Sequence, residues 1–204
     1  MLLAACSSGG AGRSPAASAE ASPDSPGSAA RPAAGRSITS ADWGFSIGVP
    51  AGWAVRHGFH PSYLANAAWK TFAGSDSQGK PVLSLVMPGS NRISDAEIRI
   101  GASRAANEVR HCTTPPSAAR AGSTATQPIN GATFATFDAR DAAMSHHLHV
   151  RAYRSVHDGA CYAIDLLVFG ADPEVYDPPA TPPFSDAQAF RQMQDVLQTF
   201  RFTR

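Results

Sequence analysis

Apolar and polar positions alternate most regularly between Ser145 and Gly170. Leu148, Val150 and Ala152 alternate with His147, His149, Arg151 and Tyr153, the period of two that predicts a strand with one face on a core and one polar face. The following run, Tyr162 to Phe169, carries only one charge, Asp165, so it reads as the more central strand of a pair. Asp158-Gly159 lies between the two runs and suits the positive φ angles of a tight hairpin turn. The rest of the folded chain reads as cover for this hairpin.

Weaker patterns supply the other elements. Phe45, Ile47 and Val49 alternate as a strand, and Pro50-Ala51-Gly52-Trp53 turns the chain into a second short one. His57 to Ala68 is irregular, with Phe59, Tyr63 and Leu64 expected to pack down. Trp69–Phe72 and Pro81–Met87 read as strands joined by a turn over 74–79. Between Ser94 and Cys112 the signals conflict: Ser94 with Glu97 forms a capping box, whereas Ile98 and Ile100 alternate with Glu97 and Arg99. Strand and helix both stay open over 94–102, the preferred reading being a strand interrupted at Gly101 and then a helix capped at Ser103 and ending near Cys112.

Thr113 to Pro128 reads as loop. Gly131 to Ala139 is a further strand that completes a three-strand meander with the central hairpin. After Gly170, the proline-rich segment ADPEVYDPPATPPF is expected to run extended over the surface. Ser185 and Gln188 then form a capping box, and Phe190, Met193, Leu197 and Phe200 recur on one helical face, which predicts a helix lying across the sheet.

Composition changes the picture at the amino end. Ser7–Ser40 is almost wholly Ser, Gly, Ala and Pro, with Ile38 its only large aliphatic residue, and such a segment cannot bury enough apolar surface to offset its ordering entropy. The expected organisation is therefore a disordered tether over 7–40 followed by one domain over 41–204. A flexible coil of that length has a mean reach of about 30 Å. The chain of 204 residues has a net charge of +1, so nucleic acid lacks electrostatic support as a partner. No run of about 18 apolar residues predicts a membrane-spanning helix.

Residues 1–6 resemble the end of a bacterial lipoprotein signal peptide: Leu3-Ala4-Ala5-Cys6 matches the lipobox at every position. That resemblance implies lipidation at Cys6. A basic n-region and most of the h-region are missing, which suggests a start upstream of Met1 or a trimmed chain. Cys112 and Cys161 remain as an even pair in a chain apparently exported to an oxidising compartment, where a disulfide is the natural pairing and two free buried thiols the alternative. Such a bond would tie the helix ending near Cys112 to the central strand.

The opening Phe-x-Ile-x-Val-Pro-x-Gly-Trp of Phe45 to Trp53, the meander, and the closing helix that ends in Phe200-Arg201-Phe202 together resemble the PsbP/Mog1-type domain of many bacterial lipoproteins. The resemblance covers about residues 41–204. It implies an α+β fold, an antiparallel sheet with helices packed on it, and a binding or assembly role. It offers no catalytic motif.

Candidate chemistry is sparse. His147 and His149 share a strand face about 7 Å apart, which would allow metal ligation if His57, His60, His111 or His157 came near. A polar sheet face with incidental histidines is the preferred reading, so no metal and no cofactor are assigned. Ser103, Ser145, His157, Asp158 and Asp165 supply residue types for hydrolysis without a Gly-x-Ser-x-Gly elbow. No glycine-rich phosphate loop follows a strand.

The expected function is a non-enzymatic module anchored through Cys6 to the periplasmic face of an envelope membrane, holding a protein partner. Ser7 after the cysteine favours the outer membrane by resemblance to enterobacterial sorting. The expected partner face comprises His147, His149, Arg151 and Tyr153, together with Tyr176 and Phe184 of the proline-rich segment. The alternatives are a periplasmic immunity protein that neutralises a secreted toxin, and a hydrolase or metal-binding protein without a recognisable motif.

Overall fold

A computed structural model describes residues 35–203; Cys6 and most of the stretch read as tether lie outside it. Among the described residues the strands are β1 (Arg36–Ser40), β2 (Phe45–Val49), β3 (Ala54–His57), β4 (Lys80–Val86), β5 (Asp95–Ser103), β6 (Ala125–Ile129), β7 (Ala132–Ala143), β8 (His146–His157), β9 (Ala160–Ala171) and β10 (Arg201–Phe202). The helices are α1 (Ala106–Arg110) and α2 (Asp186–Leu197).

Seven strands form one sheet in the order β3-β4-β5-β9-β8-β7-β6, and β1-β2-β10 form a second, small sheet, with every pairing antiparallel. The large sheet is two meanders joined where β5 pairs with β9. The expected hairpin is β8–β9, with Asp158 and Gly159 at φ 45° and 67°, both in the left-handed region that its tight turn needs.

Both faces of the large sheet are covered, so the central strands are buried on both sides. On one face Ile98 and Ile100 of β5 and Ile164, Leu166 and Val168 of β9 pack against Met193 and Leu197 of α2, Phe45 and Ile47 of β2, and Phe200. Each such aliphatic side chain contributes roughly 1.5–3 kcal/mol when fully buried. Ser185 caps α2 as expected, its hydroxyl accepting from the Gln188 amide at 3.2 Å. On the other face Leu148, Val150, Ala152 and Leu167 pack under Leu64, Ala65 and Phe72.

The second face also carries charge. Arg99 and Glu97, two apart on β5 and therefore on one side of the strand, form a buried ion pair at 2.5 Å. Arg99 donates further to the carbonyls of Asn66 at 2.6 Å and His60 at 2.8 Å. Asp165 of β9 takes Arg154 at 2.6 Å and the Thr71 amide at 2.8 Å. Glu108 of α1 accepts from Lys70 at 2.6 Å, Ser77 at 2.7 Å and the Gln78 amide at 3.1 Å. The segment 58–79, which forms no strand, is thus pinned to the sheet by side chains in place of a hydrogen-bond ladder. The Cys112–Cys161 disulfide, with its Cα atoms 5.5 Å apart, ties the chain just after α1 to β9 as expected.

Several expectations differ from what forms. Trp69–Phe72 is not a strand: Phe72 takes φ 60°. Gly101 does not interrupt β5; a Cβ there would collide with the Trp69 carbonyl, so the glycine makes room for the covering segment. Ser103 is not the helix cap, since its hydroxyl donates to the Gln78 carbonyl, and α1 begins after Ala105 without a side-chain cap. The loop expected up to Pro128 ends in β6. Residues 36–40, read as the end of the tether, form β1 as an edge strand whose Ile38 packs on the core. Pro173–Val175 forms one 3-10 turn within the extended proline-rich segment.

Candidate functional site

β8 runs from His146 to His157, so its ends are about 36 Å apart. At the His146 end the β7–β8 turn, the residues just before β5, the end of β9 and the proline-rich segment come together. Tyr63 stacks on the His146 ring with centroids 4.5 Å apart, and the Arg92 guanidinium lies 5.4 Å from the centre of the Tyr176 ring. Tyr63 is 59% exposed, Met144 at the turn 80% and Val175 53%, three large apolar or aromatic side chains that the fold leaves in water. Met144 and Ser145 hold φ of 50° and 61°, the geometry of a tight turn that projects the tip of the hairpin.

Tyr63 borders a cleft of about 230 Å³ that Asn91, Arg92, Asp95, His146, His147 and Phe169 also line. One carboxylate oxygen of Asp95 is buried with no hydrogen-bond partner among the described residues. Burial pushes the Asp95 carboxyl above its ordinary value, against the opposing pull of Ser90, Arg56 and Arg99. Burial also pushes His147 down, with Asp186 pulling the other way. The cleft therefore offers Arg92 as a donor beside an aromatic rim, with the Asp95 carboxyl set in its wall. Tyr63, Met144, Arg92 and Asp95 were not singled out from sequence as functional, and Tyr63 was expected to pack inward.

The expected partner face is divided by the structure. His147 reaches the cleft and Tyr176 lies against Arg92 of its lining, whereas His149 and Arg151 line a separate groove beside α2. Tyr153 is 1% exposed and belongs to the core under α2; Phe184 is 7% exposed and anchors the proline-rich segment there. Neither can touch a partner in this state, because alternation gave Tyr153 a polar face that α2 in fact covers.

The histidine pair is close, with ring centroids 5.8 Å apart, and Asp186 joins it by accepting from His149. That bond holds the Asp186 carboxyl below its ordinary value. His146 lies beside His147 in the cleft, yet no set of three His, Cys, Asp or Glu side chains among the described residues is placed to hold a metal. The residue types for hydrolysis are not assembled either: Ser145 and His157 flank opposite ends of β8, and Asp165 is bound to Arg154 and Thr71. No helix among the described residues is long and apolar enough to cross a membrane.

No protein-family model and no curated protein matches the chain. Solved structures similar to it include a crystal structure from Bacteroides thetaiotaomicron VPI-5482, with 12% identity and a TM-score of 0.46, covering 84% of this chain and 49% of that one. They also include the solution structure of the cyanobacterial PsbP, CyanoP, from Synechocystis sp. PCC 6803, with 13% identity and a TM-score of 0.42, covering 86% of this chain and 97% of that one. The chain thus spans about half the length of the Bacteroides protein. Neither likeness bears on what the chain does. The α+β class itself is visible in the sheets and α2.

Proposed function

We propose that this protein is a non-enzymatic binding or assembly module, held at the periplasmic face of an envelope membrane through a lipid on Cys6, and that its protein partner docks on the hairpin end of the sheet. The observation that carries this reading is the exposure of Tyr63 on a cleft with convergent polar groups, with Met144 exposed at the adjoining hairpin turn. Tyr, Met and Arg are side chains enriched at interface cores, and a cleft lined by Tyr63 and Arg92 offers an anchor pocket with orienting hydrogen bonds. The Ser, Gly, Ala and Pro-rich sequence that precedes β1 suits a domain that must search for partners near a membrane.

The reading is tested by purifying the full-length protein from its native envelope in mild detergent, as wild type and as Tyr63→Ala with Met144→Ser. A stoichiometric protein that co-purifies with the wild type and is lost from the variant supports it. Turnover of a substrate by the purified protein, with no co-purifying partner, overturns it. A Cys6→Ala protein that still partitions with the membrane overturns the anchor independently.

A further inference from the structure

The groove beside the amino end of α2 is separate from the hairpin-end cleft and has a different chemistry. Its volume is about 240 Å³, and it is lined by Arg120, Arg140, Arg151, His149, Asp186 and Phe190 among others. Cross-strand register explains the clustering: Asp138 pairs with Arg151 and Arg140 with His149 across β7–β8, so all four side chains emerge on the α2 side. Arg120 is brought in by its own amide, which donates to the Asp138 carbonyl at 2.8 Å.

The charges within the groove are unevenly satisfied. Asp186 is engaged by His149, and Asp138 accepts from the Arg151 Nε at 3.2 Å. That single bond orients the Arg151 fork over the Phe190 ring, 5.0 Å from its centre, and leaves the two terminal amino groups of Arg151 without an acceptor among the described residues. The guanidiniums of Arg120 and Arg140 likewise have neither an ion pair nor a hydrogen bond with the described residues, although Arg140 lies near enough to Asp186 to help hold its carboxyl down. Three forked donors therefore face one small volume, beside the positive end of the α2 dipole. Planar forks fit oxygen pairs of carboxylate and phosphate groups.

We propose that this groove binds a small dianionic ligand through its oxyanion groups, a phosphate monoester or a dicarboxylate. Arg120 and Arg140 supply guanidiniums with open donors, and Arg151, oriented by Asp138 and Phe190, supplies a pair of directed donors. The site does not depend on the partner surface at the hairpin end.

Calorimetry on the full-length protein at low ionic strength, with inorganic phosphate in one arm and succinate in the other, tests this. Saturable single-site binding in either arm is expected, and the arm that responds identifies the oxyanion. Arg120→Gln and Arg140→Gln should each weaken it about tenfold or more, the loss of one charge-assisted contact. Arg140→Lys should recover part of the affinity, since charge remains without the fork. Both positions are exposed, so the thermal midpoint should stay unchanged and serve as the folding control. Absence of saturable binding in both arms, or an equal loss from Arg36→Gln on β1, would overturn the proposal.

Discussion

Replacing Arg99 by Met should release the segment that carries Tyr63. Arg99 is buried, pairs with Glu97 at 2.5 Å, and holds the carbonyls of Asn66 and His60. Met keeps much of the packing against Phe59 and Phe169, over which the guanidinium lies at 5.2 and 6.0 Å, so the change isolates the charge and its donors. Hydrogen bonds to charged groups contribute about 1.5–3 kcal/mol each, but the cost of burying Arg99 disappears with it. Removing one member of a buried pair costs about 3–5 kcal/mol in total, because the other charge is stranded. For a domain of this size that is a fall in thermal midpoint of roughly 6–20 °C.

Glu97 adds a pH signature. Burial already raises its carboxyl above 4.5 against the pull of Arg99, and losing Arg99 raises it further. A carboxyl raised in the fold favours folding fully below its unfolded value, and that contribution is lost as pH rises through the folded value. The Arg99→Met defect should therefore be largest at neutral pH and shrink toward pH of about 4, and adding Glu97→Gln should recover part of it. Urea unfolding at several pH values measures the energy, and limited proteolysis within 58–79 reports the release. A loss under about 1 kcal/mol at neutral pH, with the segment still resistant to protease, would refute the pinning argument.

Three further outcomes follow from the same contacts. Glu108 behaves oppositely to Glu97: burial pulls it up, but Lys70, Ser77 and the Gln78 amide outweigh that and hold it below 4.5. Its stabilisation is present above 4.5 and lost as pH falls through the lower folded value, so Glu108→Gln should destabilise at neutral pH and make little difference near pH of about 3, read as midpoint against pH. Tyr153→Ala should cost about 3–5 kcal/mol in urea unfolding, as a core truncation does, so its effect on any partner would come through unfolding. Reducing the Cys112–Cys161 bond, which spans 49 positions, should cost up to about 4 kcal/mol in denaturant titrations with and without reductant.

What the chain's pattern discloses depends on how local the cause is. The β8–β9 hairpin and α2 were legible because alternation, Asp158-Gly159 and the Ser185 cap act within a few residues. Ser94 and Glu97 kept the helix reading open, since their i, i+3 spacing is that of a capping box, whereas Glu97 pairs with Arg99, two positions on and on the same strand face. Trp69–Phe72 has strand-forming residue types in Trp, Thr and Phe, yet its backbone is bound by Asp165 and packed on Gly101, partners about 30 or more positions away. β1 escaped notice because an edge strand with one apolar residue, Ile38, has the composition of a tether. The candidate cleft was least legible of all: Tyr63, Arg92 and His147 are distant in sequence and meet only through the sheet order β5-β9-β8.

The docking claim is tested most directly by placing a photocrosslinking amino acid in the full-length protein within its native envelope, at Tyr63, Met144 or Asp158. Tyr63 lies on the hairpin-end cleft and Met144 at the adjoining turn, and Asp158 lies at the opposite end of β8, about 36 Å away. A discrete crosslinked protein from Tyr63 and Met144, and none from Asp158, is the predicted result. Capture from Asp158 alone, or from none of the three positions, would contradict it.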